Sequence, residues 1–176
     1  MFFIPGFVIT LLTFPGVIVH EAAHQLMCRL TGTPVLNVCY FQTENPAGYV
    51  IHDEPSTAWK HFLISVAPFL INSIVGLLIC LPVALAEPAE GFAPVNLLLG
   101  WVGFSVAMHA FPSTGDAASL WAALKKPNAS WLLRIIAFPV VIVIHIGAAL
   151  SVVWFDAIYA AMVCFGAPAA FLEMVA

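Results

Sequence analysis

The stretch from Phe2 to His24, FFIPGFVITLLTFPGVIVHEAAH, decides how this chain is read. From Phe2 to Val19 it is apolar apart from Thr10 and Thr13, and it runs directly into His20-Glu21-Ala22-Ala23-His24. About eighteen such residues in a row read as a transmembrane helix, enough to cross most of a hydrocarbon core of ~30 Å. Ionisable groups at the end of that helix are expensive in lipid, so their presence points to function. On a continuing helix His20 and His24 stand one turn apart on one face, the spacing at which two imidazoles grip one Zn²⁺. Glu21 then lies beside the ion without ligating it, placed to take a proton from water. One histidine in an apolar helix is ordinarily a packing residue. Three ionisable side chains within five positions are not explained that way.

Composition agrees. Of 176 residues, 62% are hydrophobic and 8% charged, and the mean hydropathy is +1.04, which defines an all-α polytopic membrane protein rather than a soluble domain. The first apolar run lacks the basic flank and small-residue cleavage site of a signal peptide. Five Lys and Arg in the whole chain exclude a nucleic-acid-binding face, and the net charge of −4 is too thinly spread to imply a partner. The four cysteines (Cys28, Cys39, Cys80, Cys164) show no metal-binding spacing and read as inert thiols in apolar segments. No repeat or linker divides the chain, so residues 1–176 form a single membrane domain, with a core over 1–126 and a helical region over 131–176.

About four transmembrane helices are expected, near 2–30, 59–86, 95–111 and 131–160. The first has Pro15-Gly16 as a kink and Thr31-Gly32-Thr33-Pro34 as its stop. Between the first and second, Val35–Phe41 and Tyr49–His52 are β-prone and flank the turn Asn45-Pro46-Ala47-Gly48, a small hairpin near the membrane surface. In the second, Trp59 and Lys60 anchor the interface, Pro68 is a kink, and Asn72 is either helix–helix glue or a lining of the site. Glu87–Gly91 reads as a short acidic turn. The third helix breaks at depth in His109-Ala110-Phe111-Pro112, which lipid tolerates only around a protein-lined or watery cavity. A short helix from Asp116 to Lys126 follows. The last apolar region, from Trp131, is either one kinked helix or two. Arg29, Lys60, Lys125, Lys126 and Arg134 flank the loops joining helices 1–2 and 3–4, so the positive-inside rule puts the zinc motif on the cytoplasmic side and both termini outside.

A catalytic zinc takes three protein ligands and keeps one position open. Asp116 is the strongest third ligand, because helix 3 descends to the layer that holds His20 and His24. Asp116 also suits the capping box Ser113-Thr114-Gly115-Asp116. Glu44, Asp53 and Glu54 are alternative oxygen ligands from a loop. His145 reads as a packing or interhelical hydrogen-bonding residue, and His52 and His61 as surface and interface residues.

His20-Glu21-Ala22-Ala23-His24 at the end of the first core helix, with Asp116 after a broken helix end, resembles the site-2 protease family of intramembrane zinc metalloproteases. It is also similar to the small zincin membrane peptidases built on the same core. The family's Asn-x-x-Pro…Asp-Gly pattern is only partly present. His109-Ala110-Phe111-Pro112 stands one residue closer to the Asp, and Ala117 replaces the Gly. The resemblance covers about Phe2 to Lys126. It implies an endopeptidase acting on a membrane-embedded or membrane-proximal protein or peptide, with His20, His24 and Asp116 on zinc and Glu21 as general base. His109 takes the family Asn's place near the scissile carbonyl. The competing expectation is a non-catalytic, zinc-stabilised membrane subunit or receptor.

Overall fold

The computed structural model describes residues 6–86, 93–127 and 129–175. The expected acidic turn at 87–91 and the start of the first helix at Phe2 lie outside the described residues. The elements are α1 (Gly6–Leu12), α2 (Phe14–Leu30), β1 (Val35–Cys39), β2 (Tyr49–His52), α3 (Ala58–Ala84), α4 (Pro94–Met108), α5 (Thr114–Leu124), α6 (Trp131–Leu150), α7 (Phe155–Ala161) and α8 (Ala167–Val175). A π-helical turn, Met162–Gly166, joins α7 to α8.

Two helical segments, Ala58–Ala84 and Phe155–Met174, are long and apolar enough to cross a membrane. Counting the bent pair α1–α2 as one span makes three, and two shorter apolar helices, Pro94–Met108 and Trp131–Gly147, accompany them. Among the described residues, the apolar helices long enough to cross number two to three, against the four expected.

The first expected helix is broken rather than kinked. α1 and α2 meet at 83° at Thr13. Pro15 has no N–H to give Leu11, and its ring collides with that carbonyl in an unbroken helix, so the chain restarts at Phe14. Thr13 stays tied to α1, its N–H and hydroxyl both donating to the Ile9 carbonyl. α2 stops where the sequence says, with Gly32 at φ 66°. α4 ends three residues before the expected Phe111. Pro112 cannot donate to the Met108 carbonyl and disfavours a helical Phe111, so His109 is already the C-cap.

Close backbone contacts bind α2, α3 and α4 into the core. A Cβ on Gly16 of α2 would lie 2.0 Å from the Ser105 carbonyl oxygen of α4. One on Gly76 of α3 would meet the Ala107 N at 2.9 Å, and one on Gly103 the Cys80 Sγ at 2.5 Å. Small residues at such crossings let helix backbones approach closely. Fully buried Asn72 sits among the three. Its amide nitrogen lies 3.1–3.3 Å from the carbonyls of Gly16, Val106 and His109, a position that links all three helices.

β1 and β2 pair antiparallel, with Val38 opposite Val50 and a bulge between Val35 and Asn37. The expected strand to Phe41 ends at Cys39, because the chain must turn back over α2, where Tyr40 donates to Gln25. The last apolar region is two helices. They separate at Ser151–Trp154 through a 3₁₀ turn and Trp154 at φ 65°. The second returns to the core: Phe111 packs on Phe155 and Tyr159, and the Tyr159 hydroxyl lies 2.6 Å from Ser73 Oγ.

Replacing Gly16 with Ala should force α2 away from Ser105 and cost about 1–3 kcal/mol. Thermal unfolding in detergent should show a lowered midpoint, whereas Gly6→Ala, with nothing within 4 Å, should leave it in place.

Candidate metal centre

α2 carries His20 and His24 on one face with ring centroids 4.9 Å apart. Each ring is fixed by a backbone carbonyl. His20 Nδ1 lies 2.8 Å from the His109 oxygen, and His24 Nδ1 lies 2.9 Å from the Ile64 oxygen. A carbonyl only accepts, so both Nδ1 atoms carry hydrogen and both Nε2 atoms are left to ligate. Such backbone or carboxylate partners are how metal-binding histidines are oriented.

Both carbonyls are available for a reason visible in the chain. Pro68, four residues after Ile64 in α3, has no N–H, so the helix leaves the Ile64 oxygen without its usual donor. His109 is a C-cap, so its oxygen lies beyond the last helical turn.

Asp116 arrives from the first turn of α5. Its Oδ2 accepts from the backbone N–H of Ser113 at 2.8 Å and from the Ser113 hydroxyl at 2.7 Å. Oδ1 is turned toward α2, 3.4 Å from His24 Nε2. The capping box and the ligand role therefore use different oxygens of one carboxylate. Burial alone would push the Asp116 carboxyl up; the Ser113 bond opposes this, and a His24 carrying hydrogen on both nitrogens would hold the carboxyl below the ordinary carboxylate range, whereas the neutral His24 keeps its Nε2 lone pair for a metal.

One ligand atom from each of His20, His24 and Asp116 falls within a 4.8 Å group. A tetrahedral zinc with bonds of about 2.0–2.1 Å spaces its ligands about 3.3–3.4 Å apart. The donor set, the tautomers and the His24–Asp116 separation all fit zinc. Among the described residues, Glu44, Asp53 and Glu54 do not join the group. Glu54 pairs with Lys126 instead, and the Asp53 N–H donates to Pro34.

A cavity of about 540 Å³ opens beside the three residues, and Glu21, His52, His109 and Phe111 help to line it. Glu21 is 9% exposed, and the hairpin closes over it: a Cβ on Gly48 would stand 2.7 Å from Glu21 Cγ. His109 Nε2 lies 2.8 Å from Thr13 Oγ1, whose own hydrogen goes to Ile9, so the imidazole donates to Thr13. His109 thus reaches the centre through its carbonyl. Asn72 donates to that same carbonyl and acts as glue at the rim of the site. His61 pairs with Ser119, and His145 with Val141 of its own helix. His52, expected on the surface, borders the cavity, and Ile64 supports the centre through its carbonyl. Pro68 was the available signal for Ile64.

Paired imidazoles and a carboxylate around an acidic residue in a cavity define a zincin-type site. A family model described as "Putative zincin peptidase" matches residues 13–131, and the chain belongs to that family. Comparison with curated proteins gives no match, and comparison with solved structures gives none. The matched range holds every residue of the site and stops at the start of α6.

Ser113→Ala and Pro68→Ala should each lower zinc affinity about 10–100-fold, the usual effect of removing a partner that orients a ligand. Zinc retention against a competing chelator measures this; wild-type retention in both variants would contradict the account of the ligands' support.

Proposed function

We propose that this zinc peptidase is an intramembrane endopeptidase of the site-2 protease type, with Glu21 as general base. The observation that carries the reading is the convergence of two backbone-fixed imidazoles and one Asp116 oxygen beside a cavity that Glu21 lines. Zinc in such a site supplies Lewis-acid activation of water and of a peptide carbonyl at neutral pH. His20, His24 and Asp116 would hold it. The Glu21 carboxylate accepts a proton from the attacking water and returns it to the departing amine. Three converging donors among the described residues, rather than the four of a closed structural site, favour catalysis over a zinc-stabilised subunit or receptor.

A peptide bond inside a helix is shielded by its own hydrogen bonds, so the substrate must be extended. Tyr49, Val50 and His52 of β2 border the cavity, and the β2 edge away from β1 has no strand partner among the described residues. An extended membrane-embedded or membrane-proximal segment fits there by strand addition. The distribution of the basic residues Arg29, Lys60, Lys125, Lys126 and Arg134 supports a cytoplasmic orientation of this face.

Glu21→Gln should retain zinc and lose cleavage of a membrane substrate by at least about 100-fold. Undiminished cleavage would refute the reading. Deleting Asn45–Gly48 should impair cleavage while zinc stays bound, and full activity in that variant would refute the strand-addition step.

A further inference from the structure

α5 and α6 form an antiparallel pair. The rings of Trp121 and Phe138 meet at 5.8 Å, and Leu124 packs with Leu133 in the buried seam. On the outer side of that seam runs a groove of about 690 Å³ lined by Trp121, Leu124, Lys125, Arg134, Ile135 and Phe138. Its two ends differ chemically. Toward the turn between the helices stand Lys125 and Arg134. One helical turn further along both helices the lining is Trp121 and Phe138.

The cations are uncommitted to any carboxylate. Lys126 is paired with Glu54, but neither Lys125 nor Arg134 has an acidic partner among the described residues. Lys125 Nζ lies over the Trp121 ring, 5.0 Å from its centre, and Arg134 spends one N–H on the Lys126 carbonyl. Each therefore keeps donors for an anion. Three of the chain's five basic residues gather at this corner, whereas the chain as a whole carries −4. Ile135 and Phe138 are 62% and 50% exposed, beyond what a groove facing water would carry.

We infer that this groove binds one anionic phospholipid, its phosphate between Lys125 and Arg134 and its acyl chain along Trp121, Ile135 and Phe138. The match is one of charge and polarity: an amphiphile with an anionic head is complementary to a groove cationic at one end and apolar along its length. The inference rests on the membrane reading above.

The test uses the full chain in detergent, passed into vesicles of phosphatidylcholine alone or with phosphatidylglycerol, then native mass spectrometry of retained lipid. Wild-type protein should float with both vesicle types and retain phosphatidylglycerol over phosphatidylcholine. Lys125→Gln/Arg134→Gln should float equally well but lose about thirtyfold of that preference, the worth of two basic groups near an anionic surface. Arg29→Gln/Lys60→Gln, which removes the same charge elsewhere, should keep it. Equal loss in both double variants, or no headgroup preference in the wild type, overturns the groove. Failure of the wild type to float with neutral vesicles overturns the membrane reading itself.

Discussion

Two backbone carbonyls that no helix uses hold the centre in place. Ile64 loses its donor because Pro68 has no N–H, and His109 lies past the last turn of α4. Each accepts from the Nδ1 of one imidazole, His24 or His20. An imidazole N–H in an apolar interior must find such an acceptor, and an orphaned carbonyl there must find a donor, so each satisfies the other. The same two bonds select the tautomer that turns both Nε2 atoms to one point. The third ligand follows the same rule: Ser113 takes one oxygen of Asp116 and leaves the other facing His24.

These bonds require three helix segments to end or bend at one level, which the close crossings of the core permit. Gly16, Gly76 and Gly103 bring backbones together, and Asn72 connects all three helices through carbonyl oxygens. The breaks at Thr13 and after Met108 would be costly against lipid. Here they are satisfied from within: Thr13 bonds Ile9 and His109, and the His109 carbonyl bonds His20 and Asn72. The hairpin then roofs Glu21 through Gly48, where no larger residue fits without moving the carboxylate.

Much of this was legible from local chemistry. The His20–His24 spacing, the stop at Gly32, the two strands around Asn45–Gly48 and the capping box at Ser113–Asp116 are short-range features, and each reappears in the structure. Proline positions carried more than was drawn from them. Pro15 and Pro112 moved helix ends by steric exclusion, and Pro68 released a carbonyl without ending its helix. The division of the last apolar region at Trp154 is marked in the sequence only by Asp156 beside Trp154, which suggests a boundary there, since neither Ser151 nor Trp154 is a helix breaker by type.

The sequence by itself determined the chemistry: which side chains can ligate, which acid stands next to them, and how apolar the surroundings are. Those depend on residue type and on spacing within a single turn. Only the tertiary structure decided that Asp116 approaches with one oxygen free, that His109 serves through its carbonyl while its ring is held by Thr13, and that His52 borders the cavity. Those outcomes depend on where separate segments meet, with Ile64 lying forty residues from His24 and His109 eighty-nine from His20. No local pattern encodes distances of that kind.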